Sequence, residues 1–88
     1  SDEPTRAFET ALLVTVANGK GVLARVAAAL TAAEADINHV EMLQESVQDA
    51  VDLRFTVAVE DRVHLAAVMR SVKRTPSVLR VQRAKPGG

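Results

Sequence analysis

The sequence predicts an α+β fold in which a four-stranded antiparallel sheet carries two helices on one face. Apolar residues alternate at period two in four segments, and they recur at helical spacing in two segments between them. The strand–helix–strand order is repeated in each half of the chain. With 88 residues, the chain forms one small domain. Because so small a domain buries only roughly 60% of its unfolded surface, we expect it to gain stability from a partner.

The first half reads strand, helix, strand. Phe8–Ala17 alternates, and the glycine-bearing turn that follows leads into a helix expected over residues 21–34. The apolar stripe predicted to pack that helix against the sheet consists of Leu23, Val26, Ala27, Leu30 and Ala33. Ile37–Glu45 is the predicted second strand, with Val40 and Met42 directed toward the core. Residues 46–49 are predicted to connect it to the third strand.

The second half repeats the pattern with a clearer strand. Five apolar residues at strict period two define it: Val51, Leu53, Phe55, Val57 and Val59. Asp61 is the predicted N-cap of the second helix, and Thr75-Pro76 is predicted to stop that helix. The stripe expected on the helix consists of Leu65, Val68, Met69 and Val72. The fourth strand is predicted over residues 78–83, with Leu79 and Val81 in phase.

The element order β-α-β-β-α-β, with right-handed crossovers, is that of the ferredoxin-like split βαβ arrangement. The domain is expected to span residues 8–84, with a linker or tail over 1–7 and a tail over 85–88. We interpret the chain as a domain excised from the carboxyl end of a longer protein. The sheet face without helices is expected to be mixed in polarity, and such faces and edge strands often pair with a second copy.

Composition excludes several classes of function. Lys plus Arg and Asp plus Glu both number 11, so net charge draws the chain neither to DNA nor to an acidic membrane. There is no cysteine, and cytoplasmic localisation is the expectation. No segment is apolar over the roughly 18 residues that a membrane span needs. Gly19-Lys20-Gly21 begins a G-x-G-x-x-A match, but a chain this short cannot build the doubly wound sheet of dinucleotide-binding proteins, and no cofactor is expected.

No catalytic or metal-binding constellation is predicted. The serines have no nearby base, and the carboxylates scatter over turns and surfaces. His39 and His64 lie on different elements and have no second ligand at metal-binding spacing. Both histidines are expected to be solvated surface residues, with His39 on the uncovered sheet face.

Two segments carry a resemblance to a known family. The turn Asn18-x-x-Gly21-x-Leu23 and the strand entry Asp36-Ile37-Asn38 resemble the ACT domain family of small regulatory modules, which commonly bind amino acids. The run from Asp61 to Arg70, followed by Thr75 to Arg83, is similar to the carboxyl-terminal ACT domain of RelA/SpoT proteins, most of all the bifunctional SpoT type. The resemblance covers roughly residues 8–84.

The resemblance implies a regulatory role in a guanosine tetra- and pentaphosphate synthetase/hydrolase of the stringent response. The catalytic domains would lie outside this chain, so the chain itself is expected not to be an enzyme. Implied partners are a second copy in a homodimer, a small amino-acid effector, and the ribosome or the catalytic domains of the same protein. Two alternatives stay open: a feedback domain of an amino-acid biosynthetic enzyme, and a ribosome- or protein-docking module.

The candidate ligand site lies at the first turn and the helix start. Backbone N–H groups of residues 20–23 would receive a carboxylate, and Asn38 on the neighbouring strand would take the ammonium or a backbone group. The resemblance implies that an amino acid binds at this loop, usually against a second subunit. The residues of the candidate site are Asn18, Gly19, Lys20, Gly21, Val22, Leu23, Asn38 and Val40. The alternative is a tight turn into a helix with no ligand. Asn18 stands where ACT domains often carry Asp, so the ammonium group of an amino acid would lack an anionic partner from this turn.

A second candidate surface is basic. Asp52, Arg54, Arg80 and Gln82 are expected to share the uncovered sheet face. Arg54, Arg80 and Arg83 are the candidate docking residues, with cross-strand charge pairing in water as the alternative. A further alternative is contact with the backbone of ribosomal RNA. The basic residues available for it are Arg70, Lys73, Arg74, Arg80 and Arg83. Stacking of single-stranded bases is not expected, because Phe55 is predicted to point toward the helices.

Overall fold

The computed structural model describes residues 7–17, 20–45 and 49–84. Its elements are β1 (Phe8–Ala17), α1 (Val22–Ala32), β2 (Asp36–Glu45), β3 (Ala50–Val59), α2 (Arg62–Lys73) and β4 (Val78–Ala84). The four strands form one antiparallel sheet in the order β2-β3-β1-β4, so β1 and β3 are central and β2 and β4 are the edges. This confirms the predicted ferredoxin-like architecture. Most of the predicted β2–β3 connection lies outside the described residues.

The core lies between the two central strands and both helices. Leu12 of β1 pairs with Phe55 of β3, and directly paired residues point to the same face of a sheet. Both side chains are fully buried, as predicted for Phe55. Val26 and Leu30 of α1 join the same apolar cluster as the buried residues of α2. Both helices therefore cover one face, and the other face is left without a helix.

The α1 stripe differs from the prediction. The helix begins at Val22, and the residues that face the sheet are Val22, Val26 and Leu30. Residues four apart share a helix face, whereas Leu23 is turned about 100° from Val22 and is 42% exposed. The prediction that Leu23 belongs to the core is therefore wrong. The predicted α2 stripe is confirmed, with Leu65, Val68 and Val72 buried and Met69 packed against the core.

The edge strands are less covered than predicted. In β4, a register shift between Thr15 and Val16 of its partner strand turns Val78 and Val81 toward the core. Leu79 is consequently 60% exposed, which corrects its expected inward phase. In β2, Val40 and Met42 pair with core residues and so point to the helix side. They are nevertheless 37% and 64% exposed, because the cover provided by the helices does not extend over this edge.

Candidate functional site

An apolar groove lies beside the start of α1 and matches part of the predicted ligand site. Its volume is about 70 Å³. The lining residues come from β1, α1, β2 and β3 and are all apolar: Val16, Ala17, Val22, Leu23, Met42, Val51 and Leu53. Leu23 and Met42 form its exposed rim. Its floor is formed by Val16, Val51 and Leu53, at one end of the two central strands.

The first turn of α1 points its backbone N–H groups toward this end of the molecule. Gly21 is the N-cap residue with φ 74°, a left-handed conformation that glycine adopts without steric cost. Among the described residues, which leave out 18 and 19 just before this turn, no side chain makes a capping hydrogen bond here. The first-turn N–H groups have no intrahelical partner, and α1 has no acidic residue in this turn to compensate them. A carboxylate is favoured at such a helix start.

The predicted ligand-site residues are only partly brought together. Val22 and Leu23 line the groove, and Gly21 and exposed Lys20 immediately precede them in the chain. Asn18 and Gly19 lie outside the described residues. Val40 is on the helix side of β2, two residues from Met42 of the rim.

Asn38 lies apart from the predicted ligand-site residues at the start of α1. It lies at a register shift in β2, between Ile37, which pairs with Val57 of β3, and His39, which pairs with Thr56. Its side-chain amide donates a 2.6 Å hydrogen bond to Glu9 at the start of β1. The groove is at the opposite end of these strands, near Val51. The expected contact between Asn38 and a ligand at the α1 start is therefore not made by one copy of the chain.

The sequence missed the contribution of the sheet to the groove. Val51, Leu53 and Val16 were predicted as ordinary core residues, and they also form the floor of the groove. Met42 was predicted as a core residue and is an exposed rim residue. The available signal was a long unbranched apolar residue on a strand that the β2-β3-β1-β4 order places at an edge.

The three candidate docking arginines lie on two faces of the sheet. Arg54 pairs with Leu13, and Arg80 pairs with Thr15, both on the face without helices. Arg83 pairs with Leu12 on the helix side. There its Nε donates a 3.0 Å hydrogen bond to the Thr10 hydroxyl.

The guanidinium carbon of Arg83 also lies 5.9 Å from the centre of the Phe8 ring, within cation–π range. These contacts tie the end of β4 to the start of β1. Arg83 therefore lies on the opposite face of the sheet from Arg54 and Arg80.

The uncovered face carries the polar residues expected there. Asp52 and Arg80 both pair with Thr15 of β1, and Gln82 pairs with Leu13, so these residues share the face with Arg54. The Thr15 hydroxyl donates a 2.7 Å hydrogen bond to an Asp52 carboxylate oxygen. Asp52 is thus engaged within the sheet rather than available to a partner.

His64 is a structural residue, contrary to the prediction of a solvated surface position. Its backbone N–H donates to the carboxylate of Asp61, which confirms the predicted N-cap of α2. Its ring Nδ1 accepts from the Glu60 N–H at 2.9 Å, and Nε2 lies 2.8 Å from the carbonyl oxygen of Ala33. Because Nδ1 accepts, the ring proton is on Nε2 and is donated to Ala33. The imidazole therefore links the start of α2 to the end of α1.

His39 lies where the sequence predicted it. It pairs with Thr56 on the uncovered face, its side chain is 65% exposed, and Glu41 lies 3.9 Å away. Across the described ranges 7–17, 20–45 and 49–84, no group of three or more His, Cys, Asp or Glu side chains is arranged to hold a metal ion. Among the same residues, neither helix is long and apolar enough to cross a membrane.

Comparison with known proteins identifies the class of domain. A family model described as ACT domain matches residues 4–83 of the chain, which is nearly its whole length. The chain therefore belongs to the ACT domain family, a family of regulatory domains. No curated protein sequence matches the chain significantly.

Solved structures share the fold at low sequence identity. The crystal structure of the ACT domain from the GTP pyrophosphokinase of Chlorobium tepidum superposes with a TM-score of 0.74 at 12% identity, covering 89% of this chain and 99% of that one. The carboxyl-terminal domain of MgtC from Mycobacterium tuberculosis has a TM-score of 0.68 at 12% identity, with 100% and 97% covered. A homoserine dehydrogenase from Thiobacillus denitrificans has a TM-score of 0.60 at 22% identity, covering 94% of this chain and 19% of that enzyme.

Proposed function

We propose that this chain is the regulatory ACT domain of a guanosine tetra- and pentaphosphate synthetase/hydrolase and that its effector is an amino acid with an aliphatic side chain. The observation that supports an aliphatic amino acid as effector is the apolar groove beside the start of α1. An amino acid offers a carboxylate for the helix N–H groups and a side chain for the groove. The resemblance to the ACT domain of a GTP pyrophosphokinase supports the enzyme context.

The chemistry of the groove sets the class of effector. Its lining contains no charged or polar side chain among the described residues, so an aliphatic side chain enters without leaving a buried polar group unpaired. A volume of about 70 Å³ suits a small aliphatic group. The effector's ammonium group has no acidic partner in the lining, and it would remain in water or meet a second copy of the chain.

The regulatory mechanism is a shift in domain arrangement. An effector that binds one arrangement of the parent protein better than another moves the population by its differential affinity for the two. The groove is suited to this because its rim residues, Leu23 and Met42, are exposed and available to a neighbouring domain or copy. Bound effector and neighbouring surface would then be in direct contact.

Calorimetric titration with the twenty amino acids tests the proposal. We expect one or a few aliphatic amino acids to bind, and Leu23→Glu to weaken that binding by at least about tenfold, because it places a negative charge on the apolar rim and repels the effector's carboxylate. Val63→Glu is the matched control. Val63 is the second residue of α2, as Leu23 is of α1, and it is 78% exposed.

Two results would contradict the proposal. Binding that Val63→Glu weakens as much as Leu23→Glu would place the effector elsewhere. If none of the amino acids gave a heat of binding, the sensor function would be contradicted, and the docking module would be the remaining interpretation. The enzyme context has its own test, which is whether the native polypeptide carrying this domain also has synthetase and hydrolase activity.

A feedback domain of an amino-acid biosynthetic enzyme remains the alternative, and the likeness to a segment of a homoserine dehydrogenase supports it. Both proposals share the groove and differ in the parent enzyme. Calorimetry on the chain therefore tests the effector, and the activity of the native polypeptide separates the two contexts.

A further inference from the structure

The net charge of zero hides an uneven distribution of charge between the helices and the rest of the chain. The two helices contain no acidic residue, and Arg74 is the C-cap residue of α2. The basic residues within the helices are Arg25, Arg62, Arg70 and Lys73. All 11 Asp and Glu residues therefore lie outside the helices. Among the described residues, none of these Arg and Lys side chains pairs with a carboxylate. The helix layer is therefore a positively charged surface.

The basic side chains of α2 lie on the side of the helix that is turned away from the sheet. Residues two positions apart on a helix are separated by about 200° around its axis. Arg70 is two positions after the fully buried Val68, so it lies on the opposite side of α2. Ala66 and Lys73 share this outer face at helical spacing, and all three are exposed. Arg70, Lys73 and the exposed Arg74 together form the basic end of α2.

The outer face of α1 is uncharged and consists of small side chains. Ala24 and Ala28 lie two positions before and two positions after the fully buried Val26, and so they lie on the side of α1 away from the sheet. Thr31 and Ala32 continue this face by one further turn, and all four are exposed. The helix layer is therefore basic along α2 and uncharged along the outer face of α1.

We propose that the outer faces of α1 and α2 bind an amphipathic helix of a partner protein, with its apolar stripe against α1 and its acidic residues against the basic end of α2. The two helices are neighbours, joined by the hydrogen bond from the His64 ring to the Ala33 carbonyl oxygen. Neighbouring helix axes lie about 8–10 Å apart, so a third helix laid along the line between them contacts both. This surface is separate from the effector groove, to which α1 contributes Val22 and Leu23, and the inference does not rest on the proposed effector.

The distribution of charge also sets the orientation of the partner helix. Glu34 follows α1, and Glu60 and Asp61 precede α2, so these acidic residues lie at the opposite end of the helix layer from Arg70. The acidic residues of the partner are therefore expected in only one half of its helix. Since negative charge is favoured near the start of a helix, we expect that half to be the amino-terminal one, placed over the basic end of α2.

A protein helix fits this surface better than a nucleic-acid backbone does. Of the basic residues considered above for contact with RNA, Arg80 lies on the face of the sheet without helices, and Arg83 donates to the Thr10 hydroxyl. Neither residue therefore extends the basic end of α2 into a longer track of positive charge. Phosphate groups also gain nothing from Ala24 and Ala28, whereas an apolar stripe removes these side chains from water.

Titration of the 88-residue chain with a synthetic peptide, followed by amide NMR chemical shifts, tests the inference. The peptide is a helix of about 20 residues, with Leu and Ala along one face and Glu beside them in its amino-terminal half. We expect the largest shift changes at the exposed residues of α1 and α2, and binding that weakens as NaCl is raised. A peptide of the same composition whose order removes the apolar stripe should bind at least about tenfold more weakly.

Two substitutions distinguish a helical partner from a polyanion. Arg70→Glu should lower the association constant for the peptide by at least about tenfold. Arg80→Glu is the matched control, because it makes the same change of charge at an exposed residue on the other face of the sheet, and it should change binding by less than about twofold. Ala28→Lys adds a positive charge and a long side chain to α1, so we expect it to weaken peptide binding, whereas it would strengthen binding of a polyanion. Circular dichroism of each variant verifies that the fold is retained.

Four results would overturn the inference. The first is equal loss of peptide binding in Arg80→Glu, which would place the contact on the face without helices. The second is equal binding of the peptide without the apolar stripe, since charge attraction alone would then explain it. The third is binding of heparin that Ala28→Lys strengthens, by a chain that does not bind the peptide, because the basic end of α2 would then serve a polyanion. The fourth is the absence of shift changes at millimolar peptide.

Discussion

The two helices begin in different ways, although they occupy equivalent places in the two halves of the fold. The start of α2 is closed by side chains, since Asp61 accepts from the backbone of His64 and the His64 ring accepts from the backbone of Glu60. The start of α1 has Gly21 as its N-cap and no side-chain hydrogen bond. The difference shows that side chains stabilise the start of α2, and the start of α1 is where the effector is proposed to bind.

The helix ends differ in the same way. Arg70 and Lys73 lie in the last turn of α2, where positive charge complements the helix dipole, and α1 has no basic residue in its last turn. The two C-cap residues have similar backbone conformations, with φ −88° at Ala33 and −78° at Arg74, but α1 is followed by Glu34 at φ 68°, a left-handed conformation. Among the described residues, side chains therefore contribute to both ends of α2, whereas the end of α1 is closed by backbone hydrogen bonds.

The largest expected effect is the loss of burial beneath α1. Leu30→Ala removes a fully buried side chain, and we expect it to lower the free energy of unfolding by about 2–5 kcal/mol. Leu23→Ala on the same helix should cost less than about 1 kcal/mol, because Leu23 is 42% exposed. Urea denaturation measures both, and similar losses from the two substitutions would contradict the observed orientation of α1.

The next effect tests the link between the helices. His64→Ala removes the acceptor for Glu60 and the donor for Ala33, so we expect a loss of about 1–3 kcal/mol of unfolding free energy. His39→Ala should change stability by less than about 0.5 kcal/mol, because the His39 side chain is 65% exposed. Thermal unfolding of the two variants compares them directly. Equal stability would mean that the His64 ring contributes no more than a solvated one.

A smaller effect tests the closed start of α2. Asp61→Ala removes the capping acceptor and should cost about 1 kcal/mol. Asp61→Ser should retain most of the stability, since a serine hydroxyl also accepts from the backbone at an N-cap. Urea denaturation again gives the measurement. If Asp61→Ser were as destabilising as Asp61→Ala, the contribution of Asp61 would not be its hydrogen bond to the backbone of His64.

The sequence predicted the parts of the fold that periodicity determines. Strict alternation in β3 and helical spacing in α2 depend on local burial, and both were confirmed in face as well as in extent. The expected inward phase of Leu79 was wrong because a register shift, which depends on pairing with β1, puts Val78 on the core side in its place. The expected burial of Leu23 was wrong because Leu23 lies at the margin of the α1 stripe, whose other predicted members Val26 and Leu30 are buried.

The candidate site was predicted only where backbone geometry defines it. The left-handed Gly21 and the helix start followed from the glycine turn. The floor of the groove could not be predicted from the sequence, because it depends on how far α1 covers the edge of the sheet. The role of His64 had a weak signal, in that Asp61-x-x-His64 has the spacing of a capping box with histidine in the place of the usual Glu or Gln.

The smallest expected effect is a gain at the end of α1. Glu34 holds φ 68° at the position after the C-cap, where the N–H groups of Glu34 and Ala35 donate to the carbonyl oxygens of Thr31 and Leu30. Glycine adopts this conformation without steric cost, so Glu34→Gly should raise the free energy of unfolding by up to about 1 kcal/mol. Arg74→Gly at the end of α2 should instead lower it by about 0.5–1 kcal/mol, because Arg74 has a right-handed helical conformation. Opposite signs in thermal unfolding would confirm that the two helices end by different backbone geometry, whereas a loss in both would contradict the left-handed conformation of Glu34.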